Sequence, residues 1–382
     1  MSWNAVELGN LCEVLDSKRK PITKRDRTEG DFPYYGSTGI VDFVGDYIFE
    51  EKLVLIGEDG AKWERGEKTA FIADGKYWVN NHAHVIKPNR DLLLDEWLVY
   101  YLYYKDLNEF VTGLTVPKLN QGQLRTIPIP LPSLATQQKI VAKLDAILAD
   151  IDKARLASEV NSKNAEALYQ SYLTEVFEKN EDSKRYKLDN VVTRLTNGYV
   201  GATKNIYLES GIPYLLARHV KNNVLKFDER TYISEQFNNK NKKSILKKDD
   251  VLLVQSGHIG HSAVVPEEHE GHNCHAMIVI STIKDILSGE FLSLYFQSNK
   301  MKILFESMKT GSTIKHLNCG DVKLLMIPIP SIEKQNKIIA EAKKIEMLAN
   351  SIKNNMTDKL VQLNFLRDSI LRQAFNGELV KE

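Results

Sequence analysis

Two groups of residues in this 382-residue chain have the types and spacing that catalytic or metal chemistry could use. Glu58-Asp59-Gly60-Ala61-Lys62 supplies the paired carboxylates and the lysine that a nuclease needs to hold a metal ion and activate water. The group falls where an apolar run gives way to a glycine turn, and the matching stretch of the second half reads Ser256-Gly257-His258, without carboxylates. A turn is the expected role. His258, His261, His269, His272 and His275 with Cys274 could supply zinc ligands, but zinc wants a convergent set of four and the first half has no such cluster, so no metal is expected. The chain has no GxxxxGK[ST] loop, no glycine-rich cofactor loop and no DPPY-type or NPPF-type motif. No catalytic residue and no cofactor are expected.

Other residues suit contact with a nucleic acid. In the first half Lys18-Arg19-Lys20, followed by Lys24 and Arg25, is a basic run that either meets phosphates or is a solvated surface. Ser37, Thr38, Lys62, Trp63, Asn80, Asn81 and His82 are candidates for reading base edges, because short polar groups beside glycines let the backbone come close. In the second half the corresponding candidates are Asn197, Tyr199, Arg218, His219, Lys221, Gln255, Ser256, His258, Asn273 and His275; arginine suits guanine, and Asn or Gln suits adenine. Lys118 and Lys315 both lie in the repeated entry segment, one position apart in the alignment, which suits a shared structural or backbone-contacting role.

These residues need scaffolds, and the composition allows them. At 43% hydrophobic and 26% charged residues the chain can build packed cores, and its length exceeds that of one ordinary domain. The net charge of +1 makes no global case for nucleic acid. The distribution is uneven: residues 1–111 are acidic by roughly six charges and residues 186–312 basic by roughly three. No run of about 18 apolar residues occurs, so no membrane partner and a cytoplasmic location are expected. Three widely spaced cysteines without a CxxC pair read as reduced thiols.

The organising feature is an internal repeat. Thr112 to Phe177 aligns with Thr310 to Phe375 at a constant shift of 198 positions without a gap. Leu119-Asn120 matches Leu317-Asn318, Gly122 matches Gly320, Ile129-Pro130-Leu131-Pro132-Ser133 matches Ile327-Pro328-Ile329-Pro330-Ser331, and Gln137 matches Gln335. Weaker echoes with varying offsets precede it: Pro33-Tyr34 with Pro213-Tyr214, Leu53–Gly60 with Leu253–Gly260, and Trp97–Tyr101 with Phe291–Tyr295. The globular segments therefore share a fold while their loops differ.

Each Ile-Pro-x-Pro segment is extended, since proline fixes its own backbone and keeps the preceding residue out of the helical region. Ser133 and Ser331 then cap long proline-free helices of roughly 40 residues, about 60 Å at the helical rise. Apolar residues step by four and three through Ile140, Leu144, Ile147, Ile151 and Ala154, and later Ala165, Leu168 and Tyr172. The second copy steps through Ile338, Ala342, Ile345, Ala349, Ile352 and Met356, then Leu363, Leu366 and Ile370. This pattern predicts a coiled-coil seam that weakens at Ser158, Asn161 and Lys359, where polar groups either set register or mark a solvated bend. The expected fold is two α/β (α+β) globular domains joined by two long antiparallel helices about a pseudo-twofold axis. The expected boundaries are 1–114 and 185–312 for the globular parts and 115–184 and 313–382 for the helical spacers.

Over essentially its whole length the chain resembles the specificity subunit of type I restriction-modification systems. The carriers are the twofold order of variable domain and helical region, the Thr-Gly-x-Thr-x-x-x-Leu-Asn-x-Gly entry into Ile-Pro-x-Pro-Ser, and the Gln-x-Lys-Ile helix start. Tyr34–Ile40, Leu55–Gly60, Val79–His84 and Gln255–His261 add local likeness. The resemblance implies a non-catalytic subunit that binds double-stranded DNA at a split, asymmetric target. It also implies docking of two DNA methyltransferase subunits and, in the full complex, two restriction and translocation subunits. A coiled-coil adaptor that does not bind DNA is the alternative, and two divergent heads on matched spacers leave it without a use for them.

Overall fold

The computed structural model describes residues 3–113, 115–179, 183–221, 224–228, 230–309 and 316–380, with only the backbone of Lys221. Lys315 lies outside them. Two compact units form, Met1–Glu159 with Thr357–Glu382, and Val160–Met356. Each holds one globular head and half of each long helix.

Head 1, in the first unit, contains β1 (Ala5–Glu7), β2 (Cys12–Val14), β3 (Phe32–Gly36), β4 (Gly39–Val44), β5 (Phe49–Glu50), β6 (Leu53–Gly57), β7 (Ala70–Ala73), β8 (Lys76–Val79), β9 (Ala83–Pro88) and β10 (Pro128–Pro130). One antiparallel sheet has the order β2-β9-β6-β7; a second has the order β4-β3-β8-β5, with β3 and β8 parallel. β6 is apolar throughout because both its faces are covered, and alternate residues go to opposite sides. Val54 and Ile56 join a core with Trp97, Leu98 and Leu102, while Leu53 and Leu55 join one with Tyr77 and Val79.

Head 2, in the second unit, repeats this plan with β11 (Arg185–Lys187), β12 (Val192–Asn197), β13 (Ile212–Leu215), β14 (Val220–Lys221), β15 (Val224–Leu225), β16 (Tyr232–Ile233), β17 (Val251–Val254), β18 (Ser262–Val264), β19 (Asn273–Cys274), β20 (Met277–Thr282) and β21 (Met326–Pro328). Its main sheet, β12-β20-β17-β18, corresponds strand for strand to that of head 1, and β13 pairs β19 in parallel as β3 pairs β8. The same alternation recurs, with Val251 and Leu253 on one side and Leu252 and Val254 on the other.

The prolines behave as expected. β10 and β21 are the Ile-Pro segments, paired antiparallel with β1 and β11, and each leads into a spacer helix, Leu134–Glu178 or Ile332–Phe375. Ser133 Oγ accepts from the Thr136 amide at 3.3 Å and Ser331 Oγ from the Lys334 amide at 3.4 Å. The repeated glutamine has a definite task. Gln137 is fully buried; its Oε1 accepts from the Leu94 amide at 2.9 Å and its Nε2 donates to Leu92 O at 2.8 Å and Pro132 O at 2.9 Å. Gln335 makes the same three bonds, to Ser288 N, Ile286 O and Pro330 O, at 2.9, 2.8 and 2.9 Å. Each glutamine thus fastens its spacer helix to the loop before the main helix of its own head.

Within each unit the two helix segments run antiparallel. In the first unit Lys143 Nζ donates to Leu379 O at 2.9 Å while Asp152, further along, pairs with Arg367 at 2.5 Å. In the second, Tyr172 OH donates to Glu341 Oε2 at 3.2 Å and to Ile338 O at 3.4 Å, with Glu346 facing Tyr169. Ile140, Leu144, Ile151 and Ile338 are buried, and Ile147, Ile345, Ile352, Leu363 and Ile370 half-buried, as seam residues should be.

Leu168 and Leu366 depart from that seam: both are 46% exposed, and Tyr169 and Arg367 turn inward instead. The cause is a change of period. From Ile151 the inward positions run Ala154, Ser158, Ser162 and Ala165, and from Ala349 they run Ile352, Met356, Leu360 and Leu363. Two successive steps of four make an eleven-residue spacing in each helix, which accommodates the drift of a 3.6-residue turn against a strict seven-residue repeat. Ser158 is an inward residue whose hydroxyl donates to Ala154 O at 2.8 Å, while Asn161 and Lys359 are solvated. Among the described residues no helix is long and apolar enough to cross a membrane.

Candidate nucleic-acid interface

In each head the exits of the main strands gather at one end of the sheet. In head 1 antiparallel pairing sets Gly57, the end of β6, opposite Ala83, the start of β9. The parallel pair β3 and β8 runs out at the neighbouring residues, with the Asn80 amide donating to Tyr35 O at 3.0 Å. Ser37, Glu58–Lys62, Asn80–His82 and Lys118 are thereby drawn together. A Cβ placed on Gly57 would lie 2.9 Å from Ser37 O, so the first two loops touch only because that residue is glycine.

The expected reading residues divide into a surface and its support. Lys18, Lys20, Thr38, Lys62, Asn81 and His82 are exposed and Ser37 is half-buried. Trp63 is buried and donates to Gly57 O at 3.3 Å; Asn80 is buried and its Oδ1 accepts from the His82 amide at 2.8 Å. Arg19 sits beneath the surface, paired with both Asp16 and Glu58 and donating to Ala83 O at 2.9 Å.

That support is a charge network which sequence reading did not anticipate. His84 is fully buried between Asp16 Oδ2 at 2.6 Å and Leu119 O at 2.7 Å, so both ring nitrogens face acceptors. Glu58 meets Arg19 on one oxygen and Lys118 at 2.8 Å on the other. Burial alone would raise both carboxyls. For Asp16 the His84 ring, the Val85 amide and Arg19 outweigh it, and for Glu58 Lys118, Arg19 and His84 do so, holding both below the usual carboxylate range. The ligand atoms of Asp16, Glu58 and His84 lie within 4.8 Å of one another, the spacing of a metal site, but the carboxylates already face Arg19 and Lys118. Glu58 was legible as part of a turn; Asp16 carried no signal because its partner lies 68 residues away.

Head 2 gathers the same strand exits with other residues. Val254, ending β17, is opposite Met277, starting β20, and Asn197, ending β12, pairs with Ile278. Tyr199 bridges His275 in parallel. Asn197 Oδ1, Tyr214 OH and His275 Nδ1 are buried atoms without a hydrogen-bond partner. Arg218 and His258 are exposed, and Ser256 is half-buried. Gln255, His219 and Asn273 are buried; His219 Nδ1 accepts from the Leu216 amide at 3.0 Å, and Asn273 Nδ2 donates to Asn238 Oδ1 at 2.8 Å.

The match of the heads is closer than the sequence echo and differs in register. Leu119 N donates to Glu58 O at 2.8 Å, and Leu317 N to Gln255 O at 2.9 Å; Asp59 bridges Lys118, and Ser256 bridges His316. Gly60 therefore corresponds to Gly257 rather than Gly260, and both adopt positive φ, 65° and 74°. Of the histidines weighed for zinc, His258 and His261 stack at 5.5 Å and His269 and His272 approach through their Nδ1 atoms at 3.1 Å. Cys274 is fully buried, which pushes its thiol up to about 12.

A family model described as "Type I restriction modification DNA specificity domain" matches residues 1–162 and 180–362. The chain is 30% identical over 353 residues to a putative type I restriction enzyme specificity subunit of Haemophilus influenzae, covering 90% of this chain and 88% of that one. It is 26% identical to the EcoBI specificity subunit of Escherichia coli, covering 100% of this chain and 87% of the relative. A solved chain from a type I R-M system superposes with a TM-score of 0.74 at 20% identity, covering 99% and 98% of the two chains. The HsdS subunit of Thermoanaerobacter tengcongensis superposes at 0.57 and 19% identity, covering 99% and 97%. At those identities the two structures speak to the fold alone.

Proposed function

This chain belongs to the type I restriction-modification DNA specificity family, and we propose from that premise that it recognises a bipartite, asymmetric DNA target and performs no chemistry itself. Head 1 reads one half-site with Thr38, Lys62, Asn81 and His82, supported by Ser37, and head 2 reads the other with residues around Asn197, Tyr199, Arg218, Ser256, His258 and His275. Lys18 and Lys20 meet phosphates. The observation that carries this reading is that one fold presents the same strand exits twice with different side chains on them. Equal scaffolds with unequal loops suit two dissimilar half-sites, and paired helices of fixed length suit a fixed spacing between them.

Methylome sequencing of a host expressing this chain with its methyltransferase partner is expected to give one modified motif in two unlike parts separated by a gap of fixed length. An unsplit or palindromic motif would reject the proposal, and absence of any sequence preference in footprinting would favour an adaptor.

The outward faces of the spacer helices dock the methyltransferase subunits in this reading, with restriction and translocation subunits joining in the full cytoplasmic complex. Leu168 and Leu366 are the residues of choice, because they occupy equivalent repeat positions and are equally exposed. Two equivalent apolar sites suit two copies of one partner. Leu168→Asp or Leu366→Asp should leave the subunit folded but reduce bound methyltransferase from two copies to one, and the double variant should bind none. Native mass spectrometry counts the copies; full occupancy in the double variant would move the docking site elsewhere.

A further inference from the structure

We propose that Arg19, Glu58, His84 and Lys118 are positioning residues for the DNA-reading loops of head 1, and that head 2 places the neutral Gln255 where head 1 has Glu58, so the two half-sites are read from supports of different chemistry. The inference rests on the DNA-recognition reading above and deepens it.

Glu58 is the junction. Its backbone amide donates to His82 O at 2.9 Å and its carbonyl accepts from the Leu119 amide at 2.8 Å, while its carboxylate holds Lys118 on one oxygen and Arg19 on the other. One side chain therefore links three segments: the turn after β2, its own loop, and the repeat segment that leads to the spacer helix. Arg19 extends the link to the start of β9 through Ala83 O, and His84 extends it to Leu119 O. At the surface His82 Nδ1 lies 2.5 Å from Asp59 Oδ1, and Lys118 Nζ approaches the other Asp59 oxygen at 3.9 Å, so exposed His82 is linked to the network through Asp59. In head 2 the corresponding residue is Gln255, also buried, with its backbone bond to Leu317 retained; Ser256 and His316 replace Asp59 and Lys118. A neutral amide at this position is therefore compatible with the fold, whereas in head 1 the same position carries the carboxylate that holds Arg19 and Lys118.

Glu58→Gln gives head 1 the residue that head 2 uses, preserving the backbone bonds and removing the charge that orients Arg19 and Lys118. The measurement is binding by the complex with its methyltransferase partners to duplexes altered in one half-site at a time, alongside a duplex of unrelated sequence. We expect discrimination at the first half-site to fall about tenfold or more, since about 1.4 kcal/mol of lost positioning is tenfold in affinity. Discrimination at the second half-site stays, and affinity for unrelated duplex is unchanged or higher, because the released cations remain available to phosphates. Lys118→Gln, at a partly exposed position, should reproduce the loss of discrimination with lower affinity for unrelated duplex. Equal loss at both half-sites, or no loss at the first in either variant, overturns the proposal. A wild-type complex that discriminates at neither half-site would instead refute the DNA-recognition reading beneath it.

Discussion

Replacing Phe375 by alanine is expected to destabilise head 1, although Phe375 lies at the opposite end of the sequence. Its ring is buried among Trp97, Tyr101 and Tyr104 of head 1, with ring centroids at 4.9, 5.2 and 5.3 Å, and it belongs to the same core as Val54 and Ile56. Truncating a buried phenylalanine costs about 3–5 kcal/mol through lost transfer energy and the cavity left behind. Exchange protection of the β6 amides should therefore fall by about a hundredfold to several thousandfold, at about 1.4 kcal/mol per factor of ten, while β17 amides keep theirs. Phe177, the repeat counterpart, packs on Phe291 and Tyr295 at 5.5 and 5.1 Å. Phe177→Ala should accordingly expose β17 and spare β6. Loss of protection in both heads from either substitution would contradict the division into two units.

Arg19→Met should be comparably damaging, by a different route. Asp16 and Glu58 are nearly inaccessible, and Arg19 pairs with both, beside His84 on Asp16 and Lys118 on Glu58. Removing one member of a buried ionic network leaves uncompensated charge at a cost of about 3–5 kcal/mol. Adding Glu58→Gln to Arg19→Met should recover part of the loss, since one stranded anion is then gone; an additive double variant would mean the two residues do not interact. The acid response has a definite sign. Both carboxyls titrate lower in the folded chain than in the unfolded one, so the network contributes its stability above the ordinary carboxylate range of about 4. That contribution is lost as pH falls through the lowered folded values. The gap in stability between wild type and Arg19→Met should accordingly be widest near neutrality and narrow in acid, read from chemical denaturation at a series of pH values. A gap independent of pH would remove ionisation from the explanation.

The residue types proposed for the interface were readable in the sequence, and the structure adds where in the fold they lie. Ser37, Thr38, Asn81, His82 and His258 stand near strand ends because short polar residues and glycine allow the chain to turn there. Composition could not say which polar groups face outward. Asn80 and Asn81 are adjacent and chemically identical, yet the first is consumed by the His82 amide while the second is exposed. Arg19 appeared as the centre of a basic run and is instead the cation between two buried carboxylates. Likewise Leu168 and Leu366 continue a heptad on paper, whereas an eleven-residue spacing in the real helices turns them outward.

Local and periodic properties were written in the chain itself. The extended Ile-Pro segments, the serine caps, the long helices and the twofold order follow from backbone sterics and from repetition, which require no knowledge of distant contacts. Tertiary structure alone decided that the end of the second helix completes the core of the first head, that Asp16 meets His84, and that Gly60 matches Gly257. Those outcomes depend on which of many polar and apolar surfaces become neighbours when water is excluded, and desolvation energies at such contacts depend on the whole packed environment.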